Sequence, residues 1–185
     1  MKLRVVTATR GTSPFWAETL ASLATAVPEA EHVVVGPAAK EAELTAGRTG
    51  VRFAADAGGG LYAALNQGLR AGETAWDAFT WLNDDDLLLA PGFHRLREKM
   101  RSVEVEIGYG RVMLIDRKST RLGALPVARH ARDLPALLAR GIVPLAQPGT
   151  IIRRKVWETL GGFDERYQLA GDLDFFVRAL QTGTR

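Results

Sequence analysis

Short apolar runs alternate with helix-like segments through the first 90 residues of the chain. Neighbouring parallel strands need crossovers of about this length, and such crossovers place helices on the faces of the sheet. The alternation predicts an α/β fold with an open, mainly parallel twisted sheet flanked by helices. In chain order, the predicted strands and helices are 3–8, 14–27, 32–35, 38–46, 51–54, 61–71 and 77–82.

Two of the predicted helices carry clear boundary signals. Pro14 is expected at the first helical position of the helix 14–27. Gly47 is expected to end the helix 38–46. Gly68 lies inside the helix 61–71, where glycine is a poor helix former, so it is interpreted as a point of close packing on the sheet.

The pattern changes after Pro91, and the second half has no regular alternation. Gly108 and Gly110 interrupt a strand-like run at 103–116. The other predicted elements are helices at 92–100, 134–140, 155–160 and 172–181 and a strand at 149–153. At 185 residues the chain is expected to form a single domain, 1–185, with two halves that meet near residue 90.

Composition excludes several classes of protein. The chain has no cysteine, which excludes a disulfide scaffold, a thiolate metal site and a cysteine nucleophile. No apolar run is long enough for a transmembrane helix, and the first residues do not form a signal peptide. The net charge of +3 indicates either an ordinary solvated basic surface or affinity for phosphate groups or an anionic membrane. No basic run alternates with aromatic residues, so nucleic acid is not expected as a partner.

Asn83-Asp-Asp-Asp86 is the segment that most directly indicates chemistry. It follows an apolar strand, and ligands of open α/β sheets bind beyond the carboxyl ends of the strands. Three adjacent carboxylates repel one another unless a cation offsets them, and oxygen ligands suit Mg²⁺ or Mn²⁺. On extended backbone Asp84 and Asp86 would share one side and Asp85 the other. The alternative is a solvated acidic turn before the next helix.

Two further segments could bind or react. Asp56 precedes three glycines, Gly58–Gly60, at the start of a helix; amides in such a turn suit a diphosphate, although a simple tight turn explains them equally. Asp172 and Asp174 begin the last helix. Asp172 could act as a general base oriented by Asp174 or Arg178, whereas N-capping and an i,i+4 ion pair are the structural alternatives.

Four blocks in this order resemble the family 2 glycosyltransferases, inverting nucleotide-sugar enzymes of the GT-A fold. Residues 5–10, VVTATR, look like the family's first strand and nucleotide loop. Residues 60–69, GLYAALNQGL, are similar to its GIYDAMNKGI-like helix, and residues 79–86, FTWLNDDD, to its LNSDD form of the DxD motif. The fourth block, QPGTIIRR at 147–154 with GGFD and GDLD further on, resembles its H-x-x-x-x-x-R-R…GGFDE…DYD region.

The resemblance implies roles for particular residues. Asp86 would be the main ligand of Mn²⁺ or Mg²⁺, assisted by Asp84, and Asp172 would be the catalytic base. Asp85 would contact the ribose or the sugar of the donor. The residues implied in nucleotide-sugar binding are Thr7, Thr9, Arg10, Asp56, Asn83, Asp84 and Asp85. Residues 1–90 would form the nucleotide-sugar-binding half and 91–185 the acceptor and catalytic-base half, which the family usually extends beyond this length.

The implied function is an inverting, metal-dependent glycosyltransferase of cell-surface polysaccharide or glycoconjugate synthesis. Its partners would be a nucleotide-diphosphate sugar and a saccharide or lipid-linked acceptor, in the cytoplasm or at the inner face of the membrane, where peripheral association is left open. The sequence departs from the family at Val35–Ala38, which replaces an Asp-rich turn, at Ala63, and at Gln147, where histidine is common. Two alternatives stay open: a sugar nucleotidylyltransferase and a non-catalytic sugar-nucleotide-binding module.

Overall fold

A six-stranded sheet organises the protein. The computed structural model describes residues 1–46, 50–72, 75–128, 130–140, 142 and 144–184. The strands are β1 Leu3–Ala8, β2 Glu31–Gly36, β3 Val51–Ala55, β4 Ala78–Trp81, β5 Ile107–Tyr109, β6 Met113–Ile115, β7 Arg121–Ala124 and β8 Thr150–Arg153. The helices are α1 Trp16–Ala26, α2 Glu41–Thr45, α3 Leu61–Arg70, α4 Ala90–Lys99, α5 Leu134–Leu138, α6 Arg154–Leu160 and α7 Gly171–Gln181.

The strand order is β3-β2-β1-β4-β8-β5. β1 pairs in parallel with β2 on one side and with β4 on the other, and β3 pairs in parallel with β2. β8 runs antiparallel to both β4 and β5. The prediction of a mainly parallel α/β sheet is therefore confirmed, with the antiparallel pairs confined to one edge.

Apolar residues alternate between the two faces of the sheet and make two cores. On one face Val6, Phe79 and Ile152 pack against α3, α6 and α7. On the other face Leu3, Val5, Ala78 and Ile151 join residues of α1 and α4. Buried strands of this kind are covered on both sides, as expected of parallel sheets.

Gly68 confirms the close approach predicted for α3. A Cβ atom built there would lie 2.5 Å from Cγ1 of Val6 and 3.0 Å from Cγ2 of Val35. A helix carrying any larger residue at this point could not lie so close to the sheet. Because β3 runs parallel to β2 and β1, the glycines that follow β3 and the start of α3 lie at the edge where β1 and β2 end.

Several boundaries differ from those predicted. The run 103–116 forms two strands in different sheets, β5 and β6, because Gly110 and its neighbours leave the main sheet to begin a hairpin with β7, a strand the sequence did not predict. α1 begins at Trp16, so Pro14 is not its first residue, and α5 ends at Leu138. Gly47 lies outside the described residues. Among the described residues, no helix has both the length and the hydropathy to cross a bilayer.

Candidate functional site at the carboxyl edge of the sheet

The loops that follow β1, β3 and β4 meet at one edge of the sheet, because all these strands are parallel. We call Asn83–Asp86 the acidic turn. The amide of Asp86 donates to the carbonyl of Asn83 at 3.3 Å, so Asp84 and Asp85 occupy the middle of a turn. The expectation of extended backbone is therefore wrong, since the chain reverses here to reach α4. Asp85 is exposed, whereas Asp84 and Asp86 are half-buried.

The loop after β1 holds Asp84 at two points. The hydroxyl of Thr9 donates to Oδ2 of Asp84, and the same hydroxyl oxygen accepts from the amide of Gly11 at 2.8 Å. The hydroxyl of Ser13 donates to the main-chain carbonyl of Asp84 at 2.7 Å. The carboxylate of Asp84 is therefore fixed against the loop in which the sequence predicts nucleotide binding.

Asp86 accepts a hydrogen bond from the side-chain amide of Asn83, which is itself bonded to Gln147. Nδ2 of Asn83 lies 3.1 Å from Oδ2 of Asp86 and 3.4 Å from Oε1 of Gln147. Gln147, which is buried, also donates to the carbonyl of Trp81 at the end of β4. Gln147 thus braces the acidic turn, a role that sequence analysis missed.

The surroundings of Asp86 in the acidic turn shift the pKa of its carboxyl group. Burial raises the pKa of Asp86 above its ordinary value, and the negative charges of Asp85 and Asp84 raise it further, against the lowering effect of the Asn83 hydrogen bond. The ionised carboxylate is therefore disfavoured in the protein alone. A nearby positive charge would favour it.

A divalent cation is the group that these carboxylates could hold. Within the described part of the chain, no three His, Cys, Asp or Glu side chains are grouped closely enough to bind a metal ion. Mg²⁺, however, is usually held by one or two carboxylates, with substrate phosphates and water completing its shell. Asp84 and Asp86 offer oxygen ligands, and the neighbouring negative charges would favour a bound cation, so they fit that kind of site.

Thr7 and Arg10 are placed differently from Thr9. Thr7 has no exposed surface, and its hydroxyl lies 3.0 Å from Nε2 of His32 on the neighbouring strand. In this conformation the side chain of Thr7 offers no surface to a ligand, so its placement does not favour the implied role in nucleotide binding, which stays a prediction. Arg10 is exposed in the loop after β1.

Three glycines, Gly58–Gly60, form the turn before α3, which we call the glycine turn, and side-chain hydrogen bonds hold it in place. Gly58, Gly59 and Gly60 have φ angles of 87°, 102° and 91°, values that residues with a Cβ rarely adopt. The carboxylate of Asp56 accepts from the amide of Gly58 at 2.9 Å. The side chain of Gln67 donates to the carbonyl of Ala55 at 2.5 Å and accepts from the amide of Ala57 at 3.2 Å. Asp56 therefore shapes this turn from an exposed position.

Asp172 lies in the first turn of α7 and is half-buried. The hydroxyl of Tyr62, on α3, donates to its Oδ1 at 3.3 Å. A Cβ at Gly171 would lie 2.6 Å from Cε2 of Tyr62, so only glycine allows the ring to pack there. Burial raises the pKa of Tyr62, and the charge of Asp172 raises it further. Tyr62 therefore remains a neutral hydrogen-bond donor to Asp172.

Arg178 does not orient Asp172. Its Nε donates to Oδ2 of Asp174 at 2.8 Å, and its other nitrogens donate to the carbonyls of Leu160 and Gly162. The i,i+4 ion pair is thus the correct interpretation of Asp174 and Arg178. The pair fastens α7 to the end of α6.

Asn66 connects α3 to the loop between α6 and α7. The side chain is buried, and its Nδ2 donates to the carbonyl of Phe163 and to Oε1 of Glu165. Its Oδ1 accepts from the amide of Phe163 at 2.9 Å and from Nε1 of Trp157 at 3.1 Å. Asparagine is a poor helix former, and a buried, fully bonded amide explains the place of Asn66 in the helix.

Aromatic packing joins the acidic turn to the helix that carries Asp172. Trp81, the last residue of β4, has its ring centre 6.4 Å from that of Phe176 and 5.1 Å from that of Phe163. Phe176 is one helical turn beyond Asp172. The acidic turn and Asp172 are therefore both attached to the end of β4.

A cavity of about 310 Å³ lies away from this edge, between α1 and strands β1–β3. Its lining includes Val5, Leu20, Val27, His32 and Val51 and contains no carboxylate. It does not contribute to the candidate site.

Comparisons with known proteins show a likeness in fold. No family model and no curated protein matches the sequence. S. aureus TarS in complex with UDP matches with a TM-score of 0.66 and 18% identity over 95% of this chain and 54% of that chain. The mannosyltransferase PcManGT from Pyrobaculum calidifontis, in complex with GDP-Man and Mn²⁺, matches with a TM-score of 0.60 and 17% identity over 89% of this chain and 48% of that chain.

The fold is of the GT-A type. The chain spans about half the length of the PcManGT chain and of residues 1–349 of TarS, and about a third of the longer TarS chain. A structure from another class of enzyme also matches. The 4-diphosphocytidyl-2C-methyl-D-erythritol synthase from Anaerococcus prevotii matches with a TM-score of 0.56 and 11% identity over 95% of this chain and 82% of that chain. At these identities the comparisons establish the fold.

Proposed function

We propose that the chain is the domain of an inverting, metal-dependent glycosyltransferase that moves a sugar from a nucleoside-diphosphate donor to an acceptor hydroxyl. The observation that carries this proposal is the attachment of two separate carboxylate groups, the acidic turn and Asp172, to the end of β4. One group suits a cation with a diphosphate and the other suits proton removal. Cell-surface polysaccharide or glycoconjugate assembly is the process that we assign to this activity.

Asp84 and Asp86 would hold the cation, and Thr9 and Ser13 would keep Asp84 in place through the contacts described above. When bound, a divalent cation neutralises charge that develops on the leaving diphosphate. Asp85, which is exposed beside them, is available to the ribose or sugar of the donor. Because the side chain of Gln147 is already bonded to Trp81 and Asn83, it would act on this site by positioning the acidic turn.

Asp172 would accept the proton of the acceptor hydroxyl. Tyr62 bonds Oδ1 of Asp172, which leaves Oδ2 for the acceptor. As the proton moves to Asp172, the acceptor oxygen forms a bond to the anomeric carbon and the bond from that carbon to the diphosphate breaks. A single displacement of this kind inverts the anomeric carbon, without a covalent enzyme intermediate.

A second candidate function is a sugar nucleotidylyltransferase. The nucleotidyltransferase-like structure from A. prevotii is covered over 82% of its length, a larger share than that of the glycosyltransferases. The loop after β1 argues against this function. Thr9–Pro14 has a single glycine and no lysine, whereas an enzyme of this kind needs a longer glycine-rich loop with a downstream lysine for the nucleoside triphosphate. Release of pyrophosphate from a nucleoside triphosphate and a sugar phosphate would identify this second activity.

Donor binding tests the first step of the proposal. We expect UDP, GDP or dTDP, or one of their sugars, to raise Tm with Mn²⁺ and not with a chelator. A ligand at about one hundred times its Kd stabilises by about 2.7 kcal/mol, which corresponds to a rise of roughly 5–10 °C for a chain of this size. The double variant Asp84→Asn/Asp86→Asn should lose the shift. Glu43→Gln/Glu104→Gln, which removes two exposed acidic charges elsewhere, should keep it.

Asp172→Asn tests the second step. It should retain the donor-dependent shift and lose transfer to the acceptor by about 10²- to 10⁴-fold, the usual contribution of a general base. Asp174→Asn, on the same helix turn, should stay within about tenfold of the wild-type rate. Full transfer by Asp172→Asn would remove the assignment of the base. Donor binding with neither hydrolysis nor transfer across a panel of acceptors would instead identify a non-catalytic binding module.

A further inference from the structure

The hairpin formed by β6 and β7 concentrates the positive charge of the protein. We call residues 111–124 the basic hairpin. It contains Arg111, Arg117, Lys118 and Arg121 and a single acidic residue, Asp116. Its net charge of +3 equals the formal net charge of the whole chain, so the rest of the chain is balanced. Within the described part of the chain, none of these four basic side chains forms an ion pair.

The acidic residue of the basic hairpin is used by its turn. Oδ1 of Asp116 accepts from the amides of Lys118 and Thr120, each at 2.8 Å. The amide of Asp116 in turn donates to the carbonyl of Thr120 at 3.0 Å. Asp116 therefore closes the turn, and the basic side chains around it remain available to an external anion.

The basic hairpin also exposes large apolar side chains. Leu114, Ile115 and Leu122 are 45%, 39% and 69% exposed. Leu114 pairs with Gly123 and Ile115 with Arg121, so the strand register skips Leu122 and leaves it in an irregularity of the strand. Exposed leucine and isoleucine beside unpaired arginine and lysine are the combination that surface-bound membrane segments use.

The base of the basic hairpin adjoins the candidate site. The amide of Gly110 donates to the carbonyl of Gly149 at 2.7 Å, and a Cβ at Gly149 would lie 3.2 Å from Cγ2 of Val112. Gly149 is two residues from Gln147, which contacts the acidic turn. A surface that binds this hairpin would therefore lie beside the acidic turn.

We propose that the basic hairpin is a docking surface for an anionic lipid bilayer. The four basic side chains would contact lipid phosphates, and Leu114, Ile115 and Leu122 would enter the boundary between head groups and acyl chains. The hairpin lacks aromatic side chains on which bases could stack, which favours a lipid surface over a single-stranded nucleic acid. The proposal does not depend on glycosyl transfer, because its test measures binding.

Vesicle sedimentation tests this proposal with the whole chain. The wild-type protein should sediment with phosphatidylcholine vesicles that contain about one third phosphatidylglycerol and not with phosphatidylcholine alone. Arg117→Ser/Lys118→Ser should weaken binding by about 25-fold, because each basic side chain near an anionic surface contributes roughly fivefold in affinity. The matched control is Arg95→Ser/Lys99→Ser on α4, which leaves the same net charge. This control should bind nearly as well as the wild-type protein.

A second pair of variants tests the apolar contribution. Leu114→Ser/Leu122→Ser should bind several-fold more weakly, whereas Leu89→Ser/Val103→Ser, which removes two exposed apolar side chains elsewhere, should not. Unchanged Tm values would show that all four variants remain folded. Failure of the wild-type protein to bind anionic vesicles would overturn the proposal, as would equal losses in the hairpin and control variants. Equally tight binding to duplex DNA, lost in the same hairpin variants, would overturn the lipid assignment in favour of a phosphate polymer.

Discussion

The hydroxyl of Tyr62 donates a hydrogen bond to Oδ1 of Asp172, a residue 110 positions away in the sequence. The ring of Tyr62 is buried against Gly171, and the loop before α7 turns into the helix through Ala170, whose φ is +59°. Few non-glycine residues adopt such an angle. The first turn of α7 is thus positioned by α3, the helix that also begins at the glycine turn.

Tyr62→Phe should lower kcat by about tenfold, the low end of what a hydrogen bond to a charged group contributes. It should leave the affinity for the donor unchanged, because Tyr62 touches Asp172 and not the acidic turn. Tyr109→Phe is the matched control, since the hydroxyl of Tyr109 donates at the same 3.3 Å to a carbonyl, that of Ala128. Both variants should lose similar stability, and only Tyr62→Phe should change kcat. A change in KM for the donor with kcat unaltered would contradict the positioning role.

Asp86→Asn should stabilise the protein in the presence of a chelator. The pKa of Asp86 is raised by burial and by the neighbouring charges, so the folded state disfavours the ionised carboxylate. Stability therefore falls as the pH rises from the ordinary carboxyl value of 3.8 through the raised pKa, and the penalty is complete above that raised pKa.

Asparagine removes the charge of Asp86 and keeps an oxygen for Asn83. We expect the free energy of unfolding of Asp86→Asn to exceed that of the wild-type protein by on the order of 1 kcal/mol at pH 7. This difference would be seen as a rise in Tm that disappears in acid. Asp85→Asn, at an exposed position, relieves only part of the repulsion and should give a smaller gain. A lower Tm for Asp86→Asn with the chelator present would show that this carboxylate is not under electrostatic strain.

Asn66→Ala should destabilise the protein by about 3 kcal/mol, because the amide of Phe163 and Nε1 of Trp157 lose a buried acceptor. Thermal or denaturant unfolding would measure this loss, which corresponds to roughly 6–12 °C in Tm. Gln67→Ala removes the adjacent and less buried amide and should cost less than half as much. Equal effects of the two substitutions would mean that the Asn66 contacts add nothing to stability.

Gly68→Ala and Gly92→Ala should change stability in opposite directions, although both replace a glycine inside a helix. A Cβ at Gly68 meets Val6 at 2.5 Å, so the helix must move off the sheet, at a cost of about 1–3 kcal/mol. A Cβ at Gly92 meets no heavy atom within 4 Å, so alanine should stabilise by about 0.4–1 kcal/mol. Stabilisation by Gly68→Ala would mean that α3 does not pack this closely.

The first half of the fold could be predicted from the sequence, because each β-strand and helix there is a local pattern, although its boundary signals were less exact: α1 begins at Trp16 and not at Pro14. The second half could not be predicted as well. β7, with the sequence Arg-Leu-Gly-Ala, has neither an apolar run nor alternation, and its pairing with β6 depends on a turn closed by Asp116. The antiparallel direction of β8 likewise follows from a connection of many residues, which no local signal reports.

The position of the candidate site followed from the sequence, but its contacts did not. Thr7 and Thr9 are two residues apart and look equivalent on one strand. β1 ends at Ala8, so Thr7 is sealed within the sheet and Thr9 reaches Asp84. Tyr62 and Gln147 were missed as bracing residues because their partners are distant in the chain. Only tertiary packing brings these pairs together.

The pairing of β4 has a consequence for synthesis on the ribosome. β4 carries the acidic turn, and it pairs with β1 on one side, but its other partner, β8, lies about 70 residues further along the chain. At ordinary rates of translation the second edge of β4 waits for several seconds without a partner. The four residues Ala78–Trp81 are apolar or aromatic apart from Thr80, and such an open edge is a template for pairing with other chains. We therefore expect nascent chains that stall between β4 and β8 to pair with other chains through this edge.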